Sequence, residues 1–311
     1  MLTTQNVAKK LLQVFTGLTV FSFLFVSAVT AQTVEERLQK FGKGYAKGYM
    51  QPFVNAFGAN LNSGIFHTAD VSTGIDVYVG AKFMFALIPD EAKKFQADLS
   101  DLNYYRPINK YPTPVETATI FGTDGTIVPG SIIPGDTLRL ANGMNSGIFL
   151  IPVPHIAIGN ILGTRALIRY YPTTKIGDFG EFSFLGFGLQ HNIGQWFVPL
   201  PFDWSAHIMY QNLKLKPLIE ASALSFGTQI SKTLLFATFY GGFAYETSSM
   251  ELKYQWTPPG VAATEVKITM NGENTFRITA GLGLKFFIFH INAEYNYSNQ
   301  PVALLGLGIA I

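Results

Sequence analysis

The sequence predicts an all-β protein, a transmembrane antiparallel up-and-down β-barrel of about ten strands (range roughly eight to fourteen) preceded by an N-terminal amphipathic helix. From residue 73 onward, apolar residues alternate with polar or small residues over long segments. These segments run for about 10 to 14 residues, a length that crosses a bilayer at a tilt. Hydrophobic residues make up 48% of the chain and charged residues only 14%, whereas soluble domains carry about 25% charged residues.

Residues 1–31 are predicted to be a cleaved signal peptide. Lys9 and Lys10 form a positive n-region, residues 11–29 are mostly apolar, and Val29-Thr30-Ala31 places small residues where a signal peptidase cuts. The alternative is a retained membrane anchor, which the polar residues within the apolar stretch disfavour. We therefore expect export, help from the barrel-assembly machinery during insertion, and a final location in the cell outer membrane.

Residues 32–62 are predicted to form the amphipathic helix. Apolar residues at spacings of three and four draw one stripe along it, and Pro52 should kink it. The stripe consists of Val34, Leu38, Phe41, Tyr45, Tyr49, Phe53 and Phe57. The helix either packs on a sheet edge or the barrel mouth as a periplasmic cap, which we favour, or plugs the lumen. Amphipathicity alone does not say what covers the stripe.

Residues 63–311 are predicted to form the barrel. In 289–297, for example, Phe289, Ile291 and Tyr295 share one face and His290 and Glu294 the other. A soluble barrel would turn the apolar face inward, whereas an outer-membrane barrel turns it to lipid. Strand length, and tyrosine and tryptophan near strand ends, favour lipid as the partner of this face. The predicted strands are roughly 73–88, 146–158, 164–172, 181–191, 202–213, 218–230, 234–247, 273–287, 288–298 and 302–311.

Polar side chains on the opposite face are the candidate functional residues, because this face lines the lumen. We expect them to pair across the interior or to set the selectivity of the lumen. They are Asp76, Lys82, Asp203, His207, Glu246, Arg277, Lys285, His290 and Glu294.

An even number of strands places the N-terminal helix and the C-terminus at one end, the periplasmic end in such barrels. The long connections 89–145 and 248–272 then fall at the extracellular end. The first of these either caps the mouth or folds into the lumen. Within the second, 251–256 and 264–270 flank Pro258-Pro259-Gly260 and predict a hairpin above the membrane. Pro152 and Pro154 fit poorly in a central strand.

Two segments of the chain carry a resemblance. Phe57-Gly58-Ala59-Asn60-Leu61-Asn62-Ser63-Gly64, and Gly188 to Trp196 before a proline-rich turn, resemble a family of uncharacterised Gram-negative outer-membrane β-barrels. The helix before the barrel is loosely similar to that of long-chain fatty-acid transporters, whose N-terminal segment plugs the lumen. This chain is much shorter than those transporters, so the resemblance implies a barrel with fewer strands.

The composition excludes several functions. The chain has a net charge of +2 with no basic stripe, so we expect no nucleic-acid partner. It has no cysteine, which rules out thiol catalysis, cysteine–zinc sites and disulfides. No two histidines stand at metal-ligand spacing on one element, and we expect neither a metal nor a cofactor.

The function expected from the sequence is non-enzymatic passage of small solutes, including hydrophobic ones, through a narrow lumen. One alternative is a non-conducting adhesion or assembly barrel that binds a partner through its outer loops. The other is a lipid-modifying enzyme built on Asp203, Ser205 and His207. Side chains two residues apart on a strand stand about 7 Å apart, too far for a direct Ser–His hydrogen bond.

Overall fold

Long antiparallel strands dominate the protein. The computed structural model describes residues 37–71, 76–105, 110–175, 180–197, 200–258 and 260–310. The predicted signal peptide lies outside the described residues. The elements are α1 (Lys43–Leu61), β1 (Asp76–Leu87), β2 (Lys94–Ala97), α2 (Ser100–Tyr105), β3 (Val115–Ala118), β4 (Ile127–Pro129), β5 (Thr137–Arg139), β6 (Ile148–Ile161), β7 (Thr164–Lys175), β8 (Glu181–Asn192), β9 (Asp203–Lys216), β10 (Ile219–Leu234), β11 (Ala237–Trp256), β12 (Thr264–Asn271), β13 (Phe276–Phe286), β14 (Phe289–Tyr297) and β15 (Val302–Ala310).

Ten of the described strands close into a ring. β1 pairs with β6 on one side and with β15 on the other, and β10 pairs with β11 to complete the circle. The order around the ring is β1, β6, β7, β8, β9, β10, β11, β13, β14 and β15. The prediction of an antiparallel up-and-down barrel of about ten strands is confirmed.

The apolar face of each strand points outward. On β14, Phe289, Ile291 and Tyr295 are exposed, whereas His290 and Glu294 between them are buried. A band of exposed aromatic and aliphatic side chains around a closed sheet is stable in lipid and not in water. The architecture is therefore that of an outer-membrane β-barrel. No helix within the described residues is long and apolar enough to cross a membrane.

The two ends of the barrel differ. At one end, strands are joined by two-residue turns at 162–163, 235–236 and 287–288. Each turn begins with a residue at positive φ, namely Leu162, Leu235 and Phe287. These three side chains are almost fully exposed. The long connections lie at the opposite end, which we call the outer end, as such barrels place them.

The connections at the outer end are folded. Residues 88–147 hold the two small hairpins β2–β3 and β4–β5 and the short helix α2. The predicted hairpin above the barrel is confirmed, because β12 pairs with the last eight residues of β11. β11 itself continues to Trp256 and forms the first arm of this hairpin, because its inner face there packs on α1, with Met250, Leu252 and Tyr254 buried.

α1 enters the barrel from the outer end. Near its beginning, Tyr45 Oη accepts a hydrogen bond from Ala141 N (3.0 Å) in the 88–147 connection. At its end, Leu61 O lies inside the barrel and accepts a hydrogen bond from Arg169 Nη1 (2.8 Å). The even number of strands predicted that the helix lies at the same end of the barrel as the C-terminus. In the structure α1 lies at the opposite, outer end, because residues 62–71 run through the lumen from α1 toward the end where β1 begins.

One seam of the ring is incomplete. β6 and β7 pair from Ile161 and Thr164, next to their turn, as far as Ile156 and Ile168. Beyond that point β6 still pairs with β1, and β7 with β8. Within the described residues, the wall therefore has no backbone pairing between the outer halves of β6 and β7.

Candidate functional site

The lumen is occupied by residues 62–71, which we call the lumen segment. Arg169, fully buried on β7, holds its beginning. The guanidinium donates to Leu61 O (2.8 Å), Ser63 O (2.7 Å) and Gly64 O (2.7 Å). A planar guanidinium with five donors can bind several carbonyl groups at once, which an ammonium group cannot do with the same geometry.

A buried ion pair lies on the other side of the segment. Arg277 on β13 donates to both carboxylate oxygens of Glu246 on β11, at 2.7 and 3.1 Å, and both side chains are almost fully buried. Arg277 also donates to Ala59 O (2.8 Å) and to Ser63 Oγ. The pair thus joins two wall strands to the end of α1.

Gly64 lets the chain turn between these two anchors. Its φ of +62° is one that residues with a Cβ rarely adopt, and a Cβ there would overlap Leu304. Gly64 N donates to Glu294 Oε1 (3.0 Å) on β14. The sequence Asn60 to Gly64, which carries the family resemblance, therefore forms the turn that enters the lumen.

Polar contacts continue toward the end with the short turns. Thr68 O accepts a hydrogen bond from Gln190 Nε2 (2.6 Å), and Ala69 N donates to Ser231 Oγ (2.9 Å). The His67 ring lies 4.2 Å from the His290 ring, centroid to centroid. A small cavity of about 30 Å³ lies beside the segment, with room for about one water molecule. The described residues therefore leave little free space in this half of the lumen.

The predicted lumen residues divide by burial. Lys82, Glu246, Arg277, His290 and Glu294 are buried inside the barrel. Asp76, Asp203 and His207 are half-buried, and Lys285 is exposed at the rim with the short turns. Lys82 Nζ donates to Asn292 Oδ1 (2.7 Å) on β14. Asp76 forms an ion pair with Arg165 (2.6 Å).

Sequence reasoning missed Arg165 and Arg169. The two arginines stand four residues apart on a predicted strand, so they share a face. That spacing was the available signal. Tyr170 and Tyr171 follow directly, one on each face, and blur the alternation that identified the other lumen residues.

The serine and histidine of β9 do not form a catalytic relay. Ser205 Oγ accepts a hydrogen bond from Gln190 Nε2 (2.8 Å), and Asp203 accepts one from Ser231 Oγ (3.3 Å). No hydrogen bond between described residues joins Ser205 to His207. Within the same residues, no group of three histidine or acidic side chains is placed to hold a metal ion.

The half of the interior nearest the outer end is apolar. Phe53 of α1 lies 5.0 Å from the ring of Phe149 on β6, and Phe121 of the 88–147 connection lies 5.9 Å from the same ring. The cluster continues along the inner wall with Ile151, Val153, Tyr171, Phe182, Phe184 and Leu213. Lumens of outer-membrane barrels are generally polar, so this apolar half is a departure.

Phe121→Ala tests how firmly the outer connection is seated on the apolar half. Phe121 is fully buried, and removal of a buried phenylalanine ring costs about 3–5 kcal/mol. We expect a clear fall in the temperature at which the fast-migrating folded band on gels converts to the slow unfolded band. Tyr104→Ala, at an exposed position in the same connection, should leave that temperature unchanged. If both variants convert at the same temperature, Phe121 does not hold the outer connection on the apolar half.

Comparisons with known proteins give a family and a set of solved barrels. A family model described as a family of unknown function (DUF6588) matches residues 8–311. A search of curated proteins gives no match. Ail of Yersinia pestis, solved with a heparin analogue, is 9% identical with a TM-score of 0.21, over 76% of this chain and 97% of that chain.

Two further solved structures are an outer-membrane protein and a transporter. OpdK of Pseudomonas aeruginosa, solved with vanillate, is 8% identical with a TM-score of 0.22, over 76% of this chain and 98% of that chain. The toluene transporter TodX of P. putida is 10% identical with a TM-score of 0.25, over 90% of this chain and 74% of that chain. At these TM-scores the likenesses carry no argument about function.

Proposed function

The chain belongs to this family of unknown function, and from its own geometry we propose that it is a non-enzymatic outer-membrane protein that admits small apolar solutes. The apolar half of the interior carries the proposal. An interior that only passed water and ions would gain nothing from phenylalanine rings, which exclude both. A small apolar molecule that leaves water and packs against these rings gains about 25 cal/mol for each Å² of its apolar surface that is buried.

The two halves of the lumen explain the restriction to apolar solutes. A polar solute finds few hydrogen-bond partners among Phe53, Phe149 and their neighbours, and loses its hydration there. Toward the other end, the lumen segment and its ion pair leave a cavity of about 30 Å³. We therefore expect the resting protein not to act as a general pore.

The apolar outer face and the sequence features of export together support the location. The outward side chains fit lipid, and residues 1–31 have the anatomy of a signal peptide. We propose outer-membrane lipid as the permanent partner, with the barrel-assembly machinery as a transient partner during insertion.

The test is entry of the apolar dye N-phenyl-1-naphthylamine into Gram-negative cells that express the protein. The dye fluoresces once it reaches hydrocarbon, and an intact outer membrane slows its entry. We expect a higher initial rate of fluorescence increase than in cells with the empty vector. The amount of folded protein is matched through the fast-migrating band of unboiled samples.

A polar dye of similar size serves as the control. Its entry should be the same with and without the protein, because the polar half of the lumen is closed. Entry of the apolar dye at the vector rate would overturn the proposal. Equal acceleration of both dyes would indicate a leaky membrane or a general pore.

Binding of a partner at the outer end is the second candidate function. Tyr104 of α2 and Ile127 of β4 are exposed apolar side chains on an ordered surface, and such side chains are frequent in interfaces. Loss of cell adhesion in the double variant Tyr104→Ser, Ile127→Ser, with dye entry unchanged, would favour this candidate.

A further inference from the structure

The short turns at the end opposite the outer end share an unusual chemistry. Leu162, Leu235 and Phe287 adopt φ of +53°, +57° and +54°. Glycine and asparagine reach this left-handed conformation more easily than a bulky side chain, and they are the usual residues of two-residue turns between antiparallel strands. At the outer end, the described residue with a Cβ in this conformation is Asn145. The short turns therefore place apolar side chains at their tips against the preference of the backbone.

The tips expose these side chains almost completely. Leu162, Leu235 and Phe287 are 89%, 95% and 96% exposed, more than any other large apolar side chain among the described residues. The connection between β8 and β9, at the same end, exposes Trp196 and Phe197. We call these five residues the apolar rim. A ring of large apolar side chains at the tips of four connections is unfavourable in water and indicates a partner.

Neighbouring tips are bonded to one another, so the apolar rim is an ordered surface. The rings of Phe236 and Phe286 stack with their centroids 5.3 Å apart, which joins the turn after β10 to the turn after β13. Lys285 N donates to Phe236 O (2.9 Å), and Asn192 N donates to Gly163 O (2.8 Å). The barrel wall therefore fixes the position of the exposed side chains.

The apolar rim is continuous with the surface that faces lipid. On β13, every even-numbered residue from Phe276 to Phe286 is apolar. On β11, Phe239, Phe243 and Tyr245 are exposed on the same outer face. An apolar patch that binds a protein is typically bordered by polar residues. Because no such border separates this rim from the lipid-facing band on β11 and β13, lipid is the partner that fits it.

The height of the band leads to the same partner. Tyr245 and Tyr297 are exposed at its outer edge, where interfacial aromatic residues lie. From that edge, β13 runs for 11 residues to its turn. At about 3.3 Å per residue and a tilt of about 40°, this run covers roughly 25–28 Å, and the apolar band of such barrels is about 25 Å tall. The band therefore ends at the turns, which leaves the tips at the lower boundary of the hydrocarbon.

The charges at this end suit phospholipid headgroups. Lys232 and Lys285 are exposed there, whereas Asp70, Asp76 and Asp203 are half-buried. Lys232 stands on the outer face of β10, three residues before the tip. A lysine in such a position buries its methylene groups against apolar surface and extends its ammonium group to the headgroups.

We propose that the apolar rim is immersed in the inner leaflet of the outer membrane, at the boundary between acyl chains and headgroups, with Lys232 and Lys285 against phospholipid phosphates. The four connections then anchor this end of the barrel in the leaflet and do not stand in periplasmic water. The inference rests on the proposed membrane location and is independent of the passage of solutes.

A fluorescent label at the tip tests the immersion. The chain has no cysteine, so Leu235→Cys can be labelled with the environment-sensitive dye NBD and folded into bilayer discs that hold one copy. The discs contain phosphatidylethanolamine and phosphatidylglycerol, with a nitroxide quencher on some acyl chains. We expect strong quenching by the nitroxide and little by aqueous iodide. Tyr104→Cys, at an exposed position of the outer connection, should show the reverse.

The single-copy discs separate lipid from the other possible occupants. They contain neither a second copy nor a periplasmic protein, so an apolar environment at Leu235→Cys can come only from lipid. If the label at this position is as accessible to iodide as the label at Tyr104→Cys, the immersion is wrong, and the apolar rim is a surface for a protein.

An unlabelled variant gives a second test. Asparagine adopts positive φ more easily than leucine or phenylalanine, so Leu235→Asn, Phe287→Asn would preserve or improve the turns if the tips lay in water. We expect the opposite in vesicles of the same two lipids, namely a lower urea midpoint of unfolding. Tyr104→Asn should leave the midpoint unchanged. An unchanged or higher midpoint for the double variant would overturn the proposal.

The phosphate contacts are tested by changing the lipid. Lys232→Glu, Lys285→Glu should lower the urea midpoint in phosphatidylglycerol vesicles, because the new carboxylates repel phosphate. The decrease should be much smaller in vesicles of digalactosyldiacylglycerol, which has no phosphate. An equal decrease in both lipids would overturn the assignment of the two lysines.

These results can be distinguished from failure of the proposed function. If N-phenyl-1-naphthylamine enters cells at the vector rate while the label at Leu235→Cys is quenched by the nitroxide, the passage of solutes is wrong and the immersed rim stands. If the chain gives no fast-migrating folded band in the discs, the membrane location is wrong and the immersed rim with it.

Discussion

Arg169→Met is expected to convert a closed barrel into one that conducts ions. Arg169 is fully buried and donates hydrogen bonds to three backbone carbonyl groups, those of Leu61, Ser63 and Gly64. Methionine fills similar space without donors, and each carbonyl left buried without a partner costs about 1–3 kcal/mol. The lumen segment then gains by moving into water. Single-channel recording in planar bilayers should show open events that the unmodified protein lacks.

Arg165→Met is the matched control for this experiment. Arg165 is also a buried arginine on the inner face of β7. Its hydrogen bonds go to Asp76 and Gln190, which belong to the wall and not to the lumen segment. We expect this variant to stay closed. If both variants stay closed, Arg169 is not the anchor of the lumen segment. If both variants open, loss of any buried positive charge in the lumen is enough to open the barrel.

Arg277→Leu is expected to be the most destabilising single substitution in the lumen. It leaves the carboxylate of Glu246 buried without its cation, and loss of one partner of a buried pair costs about 3–5 kcal/mol. Addition of Glu246→Leu removes the stranded charge and should restore much of the loss. The free energy of unfolding by urea in lipid vesicles measures both changes.

Lys253→Leu provides the comparison at an exposed pair. Lys253 contacts Glu251 (3.1 Å) in the hairpin above the barrel, where solvent screens the attraction between the two charges. Its effect on the free energy of unfolding should be small. If the double variant Arg277→Leu, Glu246→Leu is no more stable than Arg277→Leu alone, the hydrogen bonds of Arg277 to Ala59 and Ser63 outweigh its ion pair.

The strand plan was predictable because lipid imposes a strict pattern. Each strand must turn apolar side chains outward, so the alternation is long and visible. The turn between β13 and β14 has no glycine, asparagine or aspartate, yet the change in which parity is apolar near Phe287 located it correctly.

The contents of the lumen were harder to predict. Glu246 and Arg277 could be assigned to the inner face, but the alternation says nothing of which partners meet across the interior. Arg169 binds backbone carbonyls, which every residue carries and which leave no mark in the sequence. The prolines of β6 were visible as an anomaly. The pairing that β6 keeps with each of its two neighbouring strands required the structure.

The path of the chain through the barrel restricts the order in which the protein can fold. α1 enters at the outer end and β1 begins at the opposite end, so α1 and residues 62–71 together pass through the ring. The ring is closed by β1 and β15, its first and last strands in the sequence. Closure before the thread is in place would leave α1 outside, and repair would require the ring to reopen. The β1–β15 ladder must therefore form last, after Arg169 and Arg277 of the wall strands have bound the chain that passes through the ring.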